Sequence, residues 1–214
     1  MSVTEAGCLA PCFFSSGRRR FLAHAGVLAA LTLAGCAQTG EKRTQESFLA
    51  WRAGAGESVP SFESYLRLQD IDAVVPLHEL LRSASSWEEC GGSPYAVPPA
   101  AQWSYVRSTM LLVKELRRRG VLGDFEVHSA YRDEALNSCA GGAKGSAHFR
   151  AFALDLTPRQ DDGAGQRLCD FWRQDGAAWN MGLSRYPSGR IHIDTNGHRT
   201  WGHDHTFRTS FCNA

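Results

Sequence analysis

Apolar side chains recur every three or four positions between residues 47 and 86, in "FLAWRAG", "FESYLRLQ" and "VVPLHELLRSA". This spacing predicts helices that pack one face on a core, with Pro60 and Pro76 at helix starts. The clearest helix is predicted over residues 97–120, "VPPAAQWSYVRSTMLLVKELRRRG". It opens with two prolines and closes at Gly120. These stretches indicate helical packing around a core and carry no chemistry of their own.

The second half of the chain alternates apolar and polar positions in short stretches, which is the period of a strand. "FEVHSAYR" alternates over residues 125–132, and "GGAKGSAHFRAFALDL" runs from a glycine loop into a second strand. "MGLSRYPSGRIHIDT" predicts two short strands joined by a Tyr-Pro-Ser-Gly turn. A helix is predicted before them, over about residues 165–179. Strands and helices in no strict βαβ rhythm predict an α+β fold with a mainly antiparallel sheet and flanking helices. With no internal repeat, residues 47–97 and 98–214 are the helical N-terminal part and the main part of one domain.

The first 35 residues have the pattern of an export signal. Arginines at 18–20 precede the apolar run "FLAHAGVLAALTLAG", which is too short to span a bilayer comfortably. The paired arginines before Phe-Leu are typical of a twin-arginine signal, and "LAGC" resembles the lipobox of bacterial lipoproteins. A plain Sec signal is the alternative. If the lipobox is used, Cys36 is the acylated first residue and residues 36–46 form a polar tether. These features predict an exported, periplasmic protein that is lipid-anchored to the membrane.

The charge of the chain is close to balanced. Removal of residues 1–35 takes away three arginines and one glutamate, so the formal net charge falls from +1 to −1. Phosphate binding normally needs a clustered excess of Lys and Arg. The composition therefore argues against nucleic acid as a partner.

Four of the seven cysteines follow the predicted tether, and an even number in an exported domain favours two disulfides. Three pairings are possible. A tetracysteine zinc site is the rival interpretation, but no CxxC pair supports it. We predict the pairs Cys90–Cys139 and Cys169–Cys212.

A candidate metal site comes from "SAHFRAFALD" and "RIHID", which contain His148, Asp155 and His192. Imidazole nitrogen and carboxylate oxygen both bind zinc, and three protein ligands leave a fourth position open. His148 and Asp155 are an odd number of residues apart, so on one strand they would face opposite ways, and the chain must bend between them. Alternation places His192 and Asp194 on one face. The alternative is a buried strand with core histidines.

These residues also carry a family resemblance. "SAYRDEALNSCAGGAKGSAHFRAFALD" followed by "YPSGRIHIDTNGHRTWG" resembles the zinc D-alanyl-D-alanine peptidases and related murein endopeptidases, whose domain is also similar to the Hedgehog signalling domain. The resemblance implies zinc ligands at His148, Asp155 and His192. It implies that Arg132, in "SAYR", helps bind the substrate or the transition state. Residues 98–214 would then form a Hedgehog/DD-peptidase-like zinc domain.

The chain departs from that family pattern in two ways. Ala151 stands where the family has glycine, which is tolerated if the backbone there keeps φ below zero. Many members use a glutamate shortly before the last ligand, but this chain has no glutamate after Glu134. The "HxD" subgroup resembles this chain better and makes Asp194 the leading candidate for the general base, with Asp204 in reserve. A structural role for Asp194, fixing His192 or Arg190, is the alternative.

The C-terminal stretch "GHRTWGHDHTF" adds His198, His203 and His205. Two of these would share a strand face, so a second metal site is one interpretation, and a solvated tail is the favoured one.

The resemblance implies a zinc metallopeptidase acting on peptidoglycan stem peptides, as a D,D-carboxypeptidase or murein endopeptidase. We expect a monomer. Zinc would lower the pKa of a bound water and polarise the scissile amide. Two alternatives stay open at this point. One is a non-catalytic zinc-containing module that binds the cell wall or acts as a scaffold, and the other is an amidohydrolase of soluble substrates.

Overall fold

The helices lie where the apolar spacing predicts them, in the part of the chain that the computed structural model describes, residues 43–160 and 162–213. They are α1 (Gln45–Gly54), α2 (Ser58–Leu68), α3 (Leu77–Leu80), α4 (Trp103–Arg118), α5 (Glu134–Cys139) and α6 (Ala164–Gln174). The predicted export signal, Cys36 and most of the predicted tether lie outside the described residues. No helix within the described ranges is long and apolar enough to cross a membrane.

Helix α4 is the main helix of the core. Its buried stripe includes Val106, Met110, Val113 and Leu116, which recur at helical spacing. The α-helix is shorter than the predicted 97–120, because the residues after the two prolines first form a 3₁₀ turn. The helix therefore presents one apolar face to the sheet and holds that sheet in place.

The fold is α+β with a mostly antiparallel sheet, as the sequence predicts. Its strands are β1 (Phe125–Ser129), β2 (Ala153–Pro158), β3 (Gly182–Arg185), β4 (Ile191–Asp194) and β5 (Arg199–Trp201), in the order β1-β2-β4-β3-β5. All neighbouring pairs are antiparallel except β3 and β5. Strand β5 was not predicted, because three residues with no apolar alternation give no strand signal.

The two central strands divide their side chains between a core face and a polar face. Leu154 on β2 and Ile193 on β4 are buried in the hydrophobic core. Asp155 is paired with His192 across the two antiparallel strands. Because side chains directly opposite each other in such a pair lie side by side, this register brings two predicted metal ligands together.

The folded unit begins before the predicted boundary at residue 47. The Arg43 guanidinium donates to the carbonyl oxygens of Ser83, Ala84 and His128, at 3.3, 3.3 and 2.8 Å. The Thr44 hydroxyl accepts from the backbone N–H of Ser47 and caps α1. Residues 43–46 are thus part of the domain, and only residues before 43 remain for a tether.

Both predicted disulfides are present. Cys90 is bonded to Cys139 and Cys169 to Cys212. The first joins the N-terminal part to the end of α5, where the glycine loop begins, and the second ties the C-terminal segment to α6. The rival tetracysteine zinc site is excluded, because all four sulfurs are used in disulfides.

Candidate metal centre

Three buried side chains from two strands and one turn converge on a single point. His148 lies in the turn before β2, Asp155 on β2 and His192 on β4. The His148 Nε2 atom is 3.0 Å from Asp155 Oδ1 and 3.2 Å from His192 Nδ1, and the last two atoms are 2.9 Å apart. The bend that the spacing of His148 and Asp155 requires is this turn, which the Phe152 N–H closes by donating to the Ala147 carbonyl.

Each of the three side chains is fixed by a second partner on its outer side. His148 Nδ1 lies 2.7 Å from the Ala130 carbonyl, which can only accept, so Nδ1 carries the proton. His192 Nε2 lies 2.8 Å from Asp194 Oδ2, and Arg132 Nη2 donates to Asp155 Oδ2 at 2.7 Å. Such outer partners orient metal ligands and set the histidine tautomer. The atoms left facing one another are two imidazole nitrogens and one carboxylate oxygen.

These three inward atoms fit a divalent cation. With the outer partners in place, each of the three inward atoms can direct a lone pair at the same point. Three lone pairs that meet in this way repel one another unless a positive charge lies between them. Two imidazoles and a carboxylate with an open position form a set typical of catalytic zinc. Tetrahedral ligands at zinc distances lie about 3.3 Å apart, close to the separations of 2.9 to 3.2 Å here. Within the described residues no other cluster of three such ligands occurs.

The protonation of the cluster agrees with this geometry. Burial lowers the pKa of His192, but hydrogen bonds to Asp155 and Asp194 outweigh it and raise the pKa to about 9. Burial lowers the pKa of His148. Burial raises the pKa of Asp155, but the two histidines outweigh it and hold the pKa well below its usual range. With no cation bound, a proton on His192 therefore takes the central position, and a metal ion would replace it.

A cleft of about 460 Å³ opens onto the ligand set. Its wall includes His148 and His192, the glycine loop after α5, Trp201 of β5, and the side chains of Tyr186 and His205. The Tyr186 hydroxyl lies 3.4 Å from His192 Nδ1, the inward nitrogen. Burial is the main cause that raises the pKa of Tyr186. Among the described residues, no carboxylate lines this cleft.

The comparisons with known proteins agree with the site. A family model described as Peptidase M15 matches residues 77–194, which is more than half of the chain. The chain belongs to the peptidase M15 family. The resemblance to zinc D-alanyl-D-alanine peptidases is thereby confirmed at the level of the family. Searches of curated proteins and of solved structures found no match.

The M15 match contains the three predicted ligands, Arg132 and Asp194, but the structure places the last two differently from their predicted roles. Asp194 is fully buried on the far side of His192 from the inward nitrogen. Its carboxylate also accepts from both Arg199 nitrogens, at 3.0 and 2.8 Å, and from the Asn196 N–H at 2.7 Å. This geometry favours the structural alternative, in which Asp194 orients His192. Arg132 is committed to Asp155 through Nη2 and to Ser129 through Nε, although it also lines the cleft.

Asp204, the reserve candidate for the base, is not brought to the ligand set. Its carboxylate accepts from the Thr206 N–H at 2.9 Å and from the hydroxyls of Thr206 and Thr209 within its own loop. These hydrogen bonds, that of Thr209 first, lower its pKa. Asp204 thus shapes the C-terminal loop, and it does not line the cleft.

The C-terminal stretch of this M15 chain is folded, although His198, His203 and His205 are all exposed and belong to no metal-type cluster among the described residues. His198 stacks on Trp172 at a ring separation of 4.6 Å and contacts its carbonyl oxygen at 3.0 Å. His205 lines the cleft, which the sequence did not suggest. Tyr186 was also missed, although alternation could have found it. Ser184, two residues earlier, pairs with His192, so Tyr186 continues the same face of β3.

Ala151 corrects one further expectation. We expected its φ to be below zero, because alanine would then be tolerated where the family has glycine. The φ of Ala151 is instead +58°, in the left-handed region. The chain keeps a Cβ at a position where glycine is favoured. The strained residue lies in the turn that carries His148 away from β2.

Proposed function

We propose that this protein is a zinc-dependent peptidase of peptidoglycan stem peptides, acting as a D,D-carboxypeptidase or murein endopeptidase. Membership of the M15 family makes it a peptidase, and the convergence of His148, Asp155 and His192 at the bottom of a cleft is the observation that carries the proposal. Zinc held by these three residues would act as a Lewis acid towards the scissile carbonyl and towards water. We further propose a monomer, exported to the periplasm and anchored to the membrane by lipidated Cys36.

The residues outside the ligand set have two kinds of task in this proposal. The Ala130 carbonyl, Arg132 and Asp194 hold the three ligands in orientation, because each bonds the outer atom of one ligand. Asp194 is thus a positioning residue in place of the base.

Tyr186 and His205 are the cleft residues that can act on substrate. A phenol is protonated at neutral pH, so the Tyr186 hydroxyl beside the ligand atoms is placed to donate to the substrate carbonyl as charge develops on its oxygen. His205 is an imidazole on the same cleft wall and is the candidate to accept a proton and return it to the leaving amine.

The test is hydrolysis of the cell-wall polymer itself. The zinc-loaded mature protein is incubated with purified murein sacculi, and released muropeptides are followed by mass spectrometry. Wild-type protein should release products, and their masses separate carboxypeptidase from endopeptidase. His148→Ala should release none, and Arg185→Gln, on the exposed end of β3, should match the wild type.

A non-catalytic zinc module is the second candidate, and one observation favours it. Among the described residues, the cleft beside the ligands has no carboxylate that could take the usual role of the base. Wild-type protein that binds zinc tightly and is retained on sacculi, but releases no product, would establish this candidate. The same result would overturn the proposed peptidase function.

A further inference from the structure

A second lobe of the cleft lies on the other side of Tyr186. It has a volume of about 340 Å³ and shares Arg132, Ala140 and Tyr186 with the first lobe. The metal ligand Asp155 lies at its inner end. Its outer wall comes from the loop before the first disulfide and from the β3–β4 turn, and consists of Ala84, Ser85, Ser86, Pro187, Ser188 and Arg190. A substrate bound over the ligand set therefore has room in both lobes, and the roles proposed above for Tyr186 and His205 concern only the first lobe.

Arg190 is the cation of this lobe that has no counter-ion. Three other arginines near the site each pair with a carboxylate: Arg132 with Asp155 at 2.7 Å, Arg199 with Asp194 at 2.8 Å, and Arg82 with Glu126 at 2.7 Å. Arg190 donates through Nη1 to the Ser85 hydroxyl at 2.6 Å, and no ion pair within the described ranges includes it. Among the described residues, its charge is therefore not paired with a carboxylate.

The surroundings of Arg190 add positive charge. Burial first, and then Arg82, with Arg190 also contributing, lower the pKa of Arg43 to about 10. Burial and then Arg190 lower the pKa of His128. The carboxylate within this group is Glu126, which pairs with Arg82 at 2.7 Å and also interacts with Arg43. The outer end of the lobe is thus a site of positive potential.

The position of Arg190 on the hairpin directs it towards the reacting centre. The Tyr186 N–H donates to the Arg190 carbonyl at 2.9 Å and closes the turn. Arg190 lies two residues before His192, so alternation along the extended chain puts both side chains on the same face. A group bound at Arg190 is accordingly close, along the same face, to a peptide bond held at the ligands.

We propose that this lobe is a subsite for a free carboxylate of the peptide substrate, bound by the guanidinium of Arg190 together with the Ser85 hydroxyl. A planar guanidinium recognises a carboxylate through two parallel N–H···O bonds, and the positive surroundings favour the same ligand. The carboxylate belongs either to the C-terminus of the peptide or to a side chain next to the scissile bond. The inference rests on the proposed function because it takes a peptide as the ligand, but it does not require that the protein hydrolyses that peptide.

The test measures binding apart from hydrolysis. Metal-free mature protein is titrated by calorimetry with synthetic stem-type peptides that have a free C-terminal carboxylate or a primary amide in its place. A second pair of peptides has a side-chain carboxylate or the corresponding amide. Wild-type protein should bind the acid of one pair about tenfold or more tightly than its amide, the loss expected for one charge-assisted hydrogen bond. The pair that shows the difference identifies which carboxylate the lobe binds.

The variants separate recognition from structure. Arg190→Gln should bind acid and amide equally, and Arg190→Lys should recover part of the preference. Arg185→Gln removes the same charge from the exposed end of β3, where it makes no ion pair with any described residue, and should keep the full preference. With zinc bound, the loss in Arg190→Gln should appear in KM and not in kcat.

Two results would overturn the subsite. One is an Arg190→Gln protein that prefers the acid as strongly as wild type does, and the other is a wild-type protein that binds acids and amides equally or binds neither. If wild-type protein discriminates acid from amide but releases nothing from sacculi, the subsite stands and the peptidase function fails.

Discussion

Asp194 shows at the scale of one residue how the structure changes the interpretation of a motif. From the sequence, the second residue of "HxD" is either the base or the support of the histidine, and the two roles demand different faces of the His192 ring. The carboxylate lies on Nε2, while Nδ1 faces the other ligands. It also neutralises Arg199 in a fully buried position. The residue types were thus predictable, but which ring nitrogen they meet depends on side-chain geometry that no spacing specifies.

Replacement of Asp194 by asparagine tests its role. The substitution removes the negative charge beside His192 Nε2. We expect the affinity for zinc to fall about tenfold to a hundredfold, as it does when other partners of metal ligands are replaced. A competition titration against a chromophoric chelator measures this. Asp170→Asn, a half-exposed carboxylate on α6, is the control and should bind zinc as wild type does. Unchanged zinc affinity together with a collapse of kcat would instead assign Asp194 as the base.

Ala151 supports a second prediction, on stability. A left-handed backbone costs a residue with a Cβ about 1–2 kcal/mol, and glycine at position 151 would relieve that strain. The same substitution destabilises the protein in two other ways, because it removes a buried methyl group and increases the conformational entropy of the unfolded chain. Ala153→Gly, two residues later in β2, has the same two destabilising effects but relieves no backbone strain. Urea unfolding should therefore find Ala151→Gly less costly than Ala153→Gly by about 1–2 kcal/mol. Equal costs would show that the turn is not strained.

At the scale of elements, the pairing of β2, β4 and β3 assembles the centre. Alternation in "RIHID" predicted that His192 and Asp194 share a face, and the hairpin was predicted from its turn. The register was not predictable from spacing, and it is what sets Asp155 beside His192 and Gly182 opposite Asp194. Strand β5 was missed because its three residues give no strand signal, and Tyr186 was missed although it continues the alternation of β3 from Ser184.

Gly182 is the position where this register leaves no room. A Cβ there would lie 2.4 to 2.6 Å from the carboxylate atoms of Asp194. We expect Gly182→Ala to push Asp194 off His192, lower the free energy of unfolding by about 2 kcal/mol or more and weaken zinc binding. Gly54→Ala, at the end of α1 where a Cβ meets nothing within 4 Å, is the control. A Gly182→Ala protein with normal zinc affinity would refute the proposed support of His192 by Asp194.

At the scale of the whole molecule, the sequence predicted the fold class, and the structure confirms the disulfide pairing that was chosen from three possible ones. The beginning of the folded unit was not predicted. A single arginine before the first helix gives no sequence signal, yet Arg43 docks on three carbonyls. Its position matters for the proposed anchor. Arg43 is the seventh residue after Cys36, and such a segment spans at most about 25 Å when fully extended. An acyl chain on Cys36 would accordingly hold Arg43 within that distance of the membrane surface and favour cell-wall peptides within reach of the domain.

Fractionation of host cells tests that arrangement. If Cys36 is acylated, wild-type protein should sediment with membranes and extract only with detergent, and Cys36→Ser should not. Cys12→Ser, within the predicted export signal, should leave the membrane association unchanged because that residue would be removed with the signal. An insertion of about 40 Gly/Ser residues after Gly40 should keep the membrane association while extending the reach, so more of the distant murein should become accessible. A wild-type mature N-terminus other than an acylated Cys36 would refute the anchor and leave the metal centre untouched.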